Sequence, residues 1–350
     1  MARPAIPEAS RRRLDETVER LRALLPDDWN VTVAHRQPDR GIISITADDG
    51  TEASVSVVTR HRLEPRDIER LPQSEGPVIV ATSWLGPRSR ELLRDSQIGF
   101  LDHTGNVELR LRKPALYIRA DGSPTDPDPK PRSGPTLRGP RVWALMRTLI
   151  EVAPPYTAGD LSSALGIDDG YVTRVLQTLT DERLISRRPR GPVTTVEWEP
   201  LLRKLAETYS FFAANETTTW VASAGPEQLL DDIGTAKAGR WAVTGSFVAS
   251  SLAPVSAPAI AIVYAEDPER FAKVGRLLAS KIGANVILAK PYDPIVFRRG
   301  WSDAGFPSVS VAQLAIDLLS GTARMPAEGR ALIDWMRRDP ERWQAVHLSS

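Results

Sequence analysis

"TAGDLSSALGIDDGYVTRVLQTLTDERLISRRPRG" (residues 157–191) sets two short helical patterns around one glycine and then runs into an arginine-rich tail. Thr157 stands three residues before Asp160, a helix start of the capping-box kind with Asp in place of the usual Glu or Gln. Leu161, Ala164 and Leu165 give the first helix one apolar face, and Gly166 can take the positive φ that a sharp turn between helices requires. Ile167 fills the corner. Asp168 can cap a second helix, in which Val172, Val175, Leu176 and Leu179 recur at i, i+3, i+4 and i+7. This spacing predicts a helix-turn-helix.

With those four residues turned inward, Gly170, Tyr171, Thr173, Arg174 and Gln177 must face outward on the first two turns of the second helix. In helix-turn-helix proteins those turns enter the DNA major groove. Arg can bond a guanine edge in bidentate fashion, Gln an adenine edge, and the Thr methyl can meet that of thymine. The following "RLISRRPRGPVTTVEW" (183–198) alternates as a two-stranded hairpin whose tip holds Arg187, Arg188, Arg190 and Gly191. Arginines placed there reach phosphates or the minor groove. Residues 141–198 resemble the winged helix-turn-helix of bacterial transcription regulators. The DNA-binding residues expected are therefore Tyr171, Thr173, Arg174, Gln177, Arg187, Arg188 and Arg190. The competing readings are a solvated helical hairpin and a winged helix that serves as a protein-binding scaffold.

Composition narrows the function classes. A chain of 350 residues exceeds one ordinary core, and domains of about 100–200 residues predict two or three. A net charge of +1 argues against non-specific nucleic-acid packaging. The absence of cysteine excludes disulfides, thiol nucleophiles and cysteine-ligated zinc. His35, His61, His103 and His347 have no second histidine at ligand spacing, so neither a metal site nor a cofactor is expected. No apolar run approaches the roughly 20 residues of a membrane helix, and the charged N-terminal pattern lacks a signal-peptide core. The expectation is a cytoplasmic protein that does not engage membranes.

The clearest boundary is "DGSPTDPDPKPRSGPTLRGP" (121–140), with six prolines, three glycines and almost nothing apolar to bury. It reads as an extended linker. Residues 1–120 open with a helix carrying Leu14, Val18, Leu21 and Leu25 on one face. Short alternating runs follow, two of them joined through Asp49-Gly50, a hairpin signal. Then come a buried strand "PVIVATSW" (77–84), a helix over 87–97 and a strand pair around "GFLDHTGNVELRL" (99–111). Residues 141–200 hold the helix-turn-helix, and beyond 200 strands and helices alternate, through "PERFAKVGRLLASKIG" (268–283) as a helix. The fold class expected is α/β multidomain.

The order of elements in 1–120 resembles the restriction-endonuclease-like fold, which binds a catalytic metal through a Pro-Asp and a later Glu-x-Lys. Pro38-Asp39 precedes a strand, yet "ASVSVVTR" (53–60) offers no carboxylate two residues before a lysine, so the usual metal cage is missing. Asp102 and Glu108 can supply other carboxylates. The alternative for Asp102, Thr104, Gly105 and Asn106 is a hydrogen-bonded turn between strands. In 201–350, Gly245-Ser246 opens a helix after a strand, as in nucleotidyltransferases. The next strand, "AIAIVYAED" (259–267), is apolar where the magnesium-binding acids belong. Both folds are therefore read as inactive, with a nuclease or a nucleotidyltransferase as the enzyme alternatives.

The whole order resembles the antitoxin-type regulators of abortive-infection systems, the type IV toxin-antitoxin class. Besides the winged helix, the resemblance rests on "WEPLLRKLAETY" (198–209), "AVTGSFVASSLAP" (242–254) and "VSVAQLAIDLLSG" (309–321). It implies a DNA-binding repressor, often autoregulatory, with a toxin as a further partner. Regulators of this kind pair winged helices over two half-sites, so a homodimer is expected. The amphipathic "LLRKLAETYSFF" (201–212) is the candidate interface, its other role being packing within the chain.

Overall fold

The computed structural model describes residues 8–72, 74–129, 135–233, 238–302 and 305–348. Its contacts divide the chain into two units, Met1–Pro131 with Asp181–Arg183, and Arg132–Thr180 with Leu184–Ser350. Both are α/β, and each contains a mixed sheet.

The first unit is a seven-stranded sheet whose strands lie in chain order: Asn30–Arg36, Arg40–Thr46, Glu52–Thr59, Val78–Thr82, Gly99–Asp102, Val107–Leu111 and Leu116–Ala120. Asp49-Gly50 makes the expected hairpin, with Gly50 at φ 80° and the Ala47 carbonyl accepting from the Gly50 amide at 3.0 Å. Glu52–Thr59, Val78–Thr82 and Gly99–Asp102 run parallel, whereas the outer pairs are antiparallel. Parallel neighbours need crossovers, and the helix Pro87–Asp95 is one of them. The helix Glu8–Leu24 buries Leu14, Val18 and Leu21 against one face of the sheet. Leu85, Leu93 and Ile68 cover Val58, Val80 and Phe100 on the other. A strand buried on both faces has no polar side to show, which is why "VIVAT" reads as one apolar run.

Two features differ from the sequence expectation. The strand Leu116–Ala120 extends the pair expected around 99–111 into three strands. The stretch beginning at 121 is not free linker throughout: the Ser123 carbonyl accepts from Trp84 Nε1 at 3.3 Å, and Asp126 pairs with Arg62. Gly122 lies so close to the turn at 104–106 that a Cβ there would stand 2.2 Å from the Thr104 carbonyl oxygen. Residues 130–134 lie outside the described residues.

In the second unit, the helices Pro140–Glu151, Ala158–Leu165 and Asp169–Asp181 are followed by the hairpin Ile185–Arg187 and Val193–Val196. The helix Trp198–Thr208 leads into a five-stranded sheet, in spatial order Trp241–Thr244, Ala261–Ala265, Val286–Lys290, Glu216–Val221 and Leu278–Ala279. One hydrophobic core runs from Val142 through Leu176 and Leu205 to Val263, Leu314 and Met336. Packing is continuous across position 200, where the sequence suggested a domain boundary. Leu201, Leu202, Leu205, Tyr209 and Phe211 are all buried in this core. The apolar face of 201–212 therefore packs within the chain, and the expectation that it offers a dimer interface is corrected.

The helix expected over 268–283 also ends early, at Val274. Gly275 takes the C-cap, and a Cβ there would come within 2.8 Å of the Leu229 Cδ1, which would have to shift to admit it.

Candidate nucleic-acid interface

Thr157 Oγ1 accepts from the Asp160 amide at 3.1 Å, while Asp160 Oδ2 accepts from the Thr157 amide at 2.7 Å. The reciprocal pair closes the capping box with Asp160 at its third helical position. These bonds hold the Asp160 carboxyl below the usual carboxylate range. Gly166 ends the helix Ala158–Leu165 at φ 65°, and Ser162 Oγ donates to the Ile167 carbonyl at 2.6 Å across the turn. Asp168 Oδ1 accepts from the Tyr171 amide at 2.8 Å and caps the helix Asp169–Asp181. That helix is anchored by Val172, Val175, Leu176 and Leu179, all within 1% of full burial. Each such side chain contributes about 1.5–3 kcal/mol of hydrophobic stabilisation as an upper estimate.

The anchoring fixes what faces out. Gly170, Thr173, Arg174 and Gln177 are exposed, whereas Tyr171 is half-buried and rests its ring on the core. Arg174 makes no ion pair among the described residues, so its guanidinium is available to a partner.

In the hairpin, Ile185 lies opposite Val196 and Ser186 opposite Thr195, after which a bulge shifts the register so that Arg187 meets Val193. The Val193 amide also donates to the Tyr156 carbonyl at 2.9 Å, which ties the hairpin to the chain entering the first helix. Arg188 and Arg190 are exposed at the tip, Arg190 at φ 58°, and Gly191 closes the turn by donating to the Arg188 carbonyl at 2.9 Å. Arg187 is placed differently from the tip position expected of it. It sits on the strand, half-buried, and its guanidinium donates to Gln177 Oε1 at 3.3 Å. Burial lowers its pKa from the usual arginine range. One base-reading candidate and one phosphate-binding candidate are thus joined, a pairing that ten residues of separation does not announce.

The carboxylates considered for metal binding have protein partners. Asp102 is fully buried: Oδ1 accepts from the Thr104 amide at 2.8 Å and the Asn106 amide at 3.1 Å, and Oδ2 from the Leu85 amide at 2.9 Å and Asn106 Nδ2 at 2.8 Å. This is the hydrogen-bonded turn between strands. Glu108 pairs with Arg94 at 2.8 Å, and Asp39, exposed, with Arg60 at 2.8 Å. Among the described residues, no three His, Cys, Asp or Glu side chains gather into a metal-binding group. In the second unit Gly245 precedes the helix Ser246–Leu252 at φ 74°, and Ser246 Oγ donates to Glu328 at 2.6 Å. The strand Ala261–Ala265 is buried throughout.

Sequence reasoning missed a buried polar network behind the helices. Arg147, fully buried on Pro140–Glu151, bonds Glu151 at 2.5 Å, the Ile295 and Arg298 carbonyls at 2.6 Å each, and Gln313 Oε1 at 3.2 Å. Gln313 Nε2 donates to Asp317 at 2.8 Å, and Tyr209, Tyr264 and Thr244 complete the shell of that carboxylate at 3.0, 3.0 and 2.8 Å. Desolvation pushes Asp317 up to about 6 and holds both tyrosines well above the usual phenol range. The one signal in the sequence was polar residues, Arg147, Gln313 and Asp317, inside apolar helical stripes.

No helix of the described residues is long and apolar enough to cross a membrane. Comparison of the chain with protein-family models, with curated proteins and with solved structures gives no match.

Proposed function

We propose that the chain is a sequence-specific DNA-binding transcriptional regulator, a cytoplasmic repressor or antitoxin-like autoregulator that reads double-stranded DNA through a winged helix-turn-helix over 141–200. The observation that carries this reading is the helix Asp169–Asp181. Its inner face is locked by four buried aliphatic residues, and its outer face offers Thr173, Arg174 and Gln177 beside a hairpin tipped by Arg188 and Arg190. In the same reading, 1–120 is a restriction-endonuclease-like domain and 201–350 a nucleotidyltransferase-like domain, neither of them catalytic. The engagement of Asp39, Asp102 and Glu108 by Arg60, the turn amides and Arg94 supports this. The regulator acts as a homodimer on paired half-sites, and a toxin is its further partner.

The test is to map the bound DNA genome-wide, then to measure binding to the mapped site and to scrambled DNA. Arg174→Ala should cost about 1–3 kcal/mol at the mapped site and relax its preference over scrambled DNA. Arg188→Ala and Arg190→Ala should each weaken both DNAs alike and lower the salt slope by about one unit. Arg187→Ala should disturb preference as well, because it removes the guanidinium bond to Gln177 Oε1. An Arg174→Ala protein that binds both DNAs like its parent would remove the helix Asp169–Asp181 from the groove and defeat the reading. A single-chain mass in solution, unchanged by the mapped DNA, would defeat the dimer.

A further inference from the structure

Arginines of the first unit usually find a carboxylate: Arg22 with Glu19, Arg36 with Asp15, Arg60 with Asp39, Arg88 with Glu91, Arg94 with Glu108. The last hairpin of the sheet departs from that pattern. Its strands are Val107–Leu111 and Leu116–Ala120, and it carries Arg110, Arg112, Lys113 and Arg119 against one acid, Glu108, which Arg94 already occupies. All four cations are exposed, and none forms an ion pair among the described residues. Tyr117 stands in their midst, 54% exposed, directly opposite Arg110, whose guanidinium carbon lies 5.1 Å from the ring centroid. Leu109 and Leu111 point the other way into the core, so the alternation of the strand holds the charged side outward.

We infer that this hairpin is a second nucleic-acid contact, independent of the helix Asp169–Asp181, which grips the phosphate backbone of duplex DNA without reading its bases. Four cations carried on one short hairpin repel one another, and a polyanion relieves that repulsion while releasing its own counterions. Arg110 stacked on Tyr117 is held in place before binding, so it loses less side-chain freedom when a phosphate arrives. The surface presents four cations and one exposed aromatic ring along a strand pair. It suits a long, regular array of negative charge.

The experiment uses the full chain with Arg110→Gln, Arg112→Gln and Lys113→Gln combined, Lys113→Gln alone, and Arg174→Ala, each titrated with a duplex of random sequence and with the mapped site over a salt series. The triple variant should reduce the steepness of log K against log salt by about 2–3 units, at roughly 0.9 for each phosphate no longer neutralised. Its affinity at 0.1 M salt should fall by about tenfold or more. Lys113→Gln, in an exposed turn, should lower the slope by about one and decides the matter if the triple variant fails to fold. A slope equal to the parent's in Lys113→Gln and in a folded triple variant overturns the inference. So does a triple variant that binds DNA normally but aggregates, because the charges would then only guard the open edge of the strand Leu116–Ala120. A triple variant that keeps DNA binding but loses sedimentation with phosphatidylserine vesicles overturns it in favour of a membrane surface. Arg174→Ala separates the two sites: if it is silent on the mapped site while the hairpin variant has a shallower slope, the winged-helix reading fails and the hairpin stands.

Discussion

Replacing Arg147 by alanine is expected to lower the unfolding free energy of the protein by about 3–5 kcal/mol, the range for breaking a buried ion pair from one side. The guanidinium is fully buried and directs donors to Glu151, Gln313 and the carbonyls of Ile295 and Arg298. Among the described residues the Glu151 side chain would then keep Ser310 and Arg299, the latter at 3.3 Å, while the Arg298 carbonyl would lose its Arg147 donor and the Ile295 carbonyl would be left with the Arg298 amide at 2.8 Å. Urea unfolding followed by tryptophan fluorescence measures the loss as a lower midpoint at similar slope. The double variant Arg147→Met with Glu151→Leu should recover part of it, because the two facing charges leave together, while Arg299 loses its carboxylate and keeps the Leu348 carbonyl. A loss below about 1 kcal/mol in Arg147→Ala would mean that water reaches Glu151 and that the network is not the tie assigned to it. Under the proposed function the consequence extends to DNA binding, since Arg147 lies on the helix Pro140–Glu151, which packs in the same core as the helix Asp169–Asp181, and bonds residues near 295–313. A destabilised network loosens both ends together.

The second large effect concerns pH. The Asp317 carboxyl titrates at about 6 in the folded protein because burial opposes its charge, against 3.8 for the free side chain. Between those values the folded state holds a proton that the unfolded state has released, so stability must rise as pH falls through about 6 and level off near 4. A shift of about two units corresponds to about 3 kcal/mol over that window. Tyr209 and Tyr264, which face the carboxylate, stay protonated throughout, their own pKa values raised by the same burial. Other groups titrate too, so the quantity to follow is the parent's stability minus that of Asp317→Asn, which cannot ionise. This difference should grow in the parent's favour from pH 7.5 to 4.5. A flat difference, or one that shrinks on acidification, would show that the four hydrogen bonds to Asp317 outweigh its desolvation.

The pieces of the candidate interface were legible one by one. Thr157 and Asp160, Gly166, Asp168 and the stripe Val172, Val175, Leu176, Leu179 each act over a few residues, and each does in the structure what its spacing predicts. Asp49-Gly50 is legible for the same reason. Arg187 was misplaced because a bulge between Ser186 and Arg187 shifts the register, and bulges leave no trace in an alternation count. The helix Trp198–Thr208 was amphipathic as read, but a pattern names a face that must be buried and not the surface that buries it.

Sequence alone therefore determined what depends on neighbours along the chain: caps, turns, periodicities, the outward position of Thr173, Arg174 and Gln177, and the exclusion of cysteine chemistry. Tertiary structure alone decided the order of strands in both sheets, the docking of 121–128 on the first unit, the pairing of Arg187 with Gln177 and the burial of Arg147 and Asp317. The physical reason lies in the separation of the partners. Arg147 reaches Ile295 across 148 residues and Tyr209 reaches Asp317 across 108, so no local propensity records either bond. Such a polar residue becomes affordable in the core only once distant parts of the chain have supplied its hydrogen bonds.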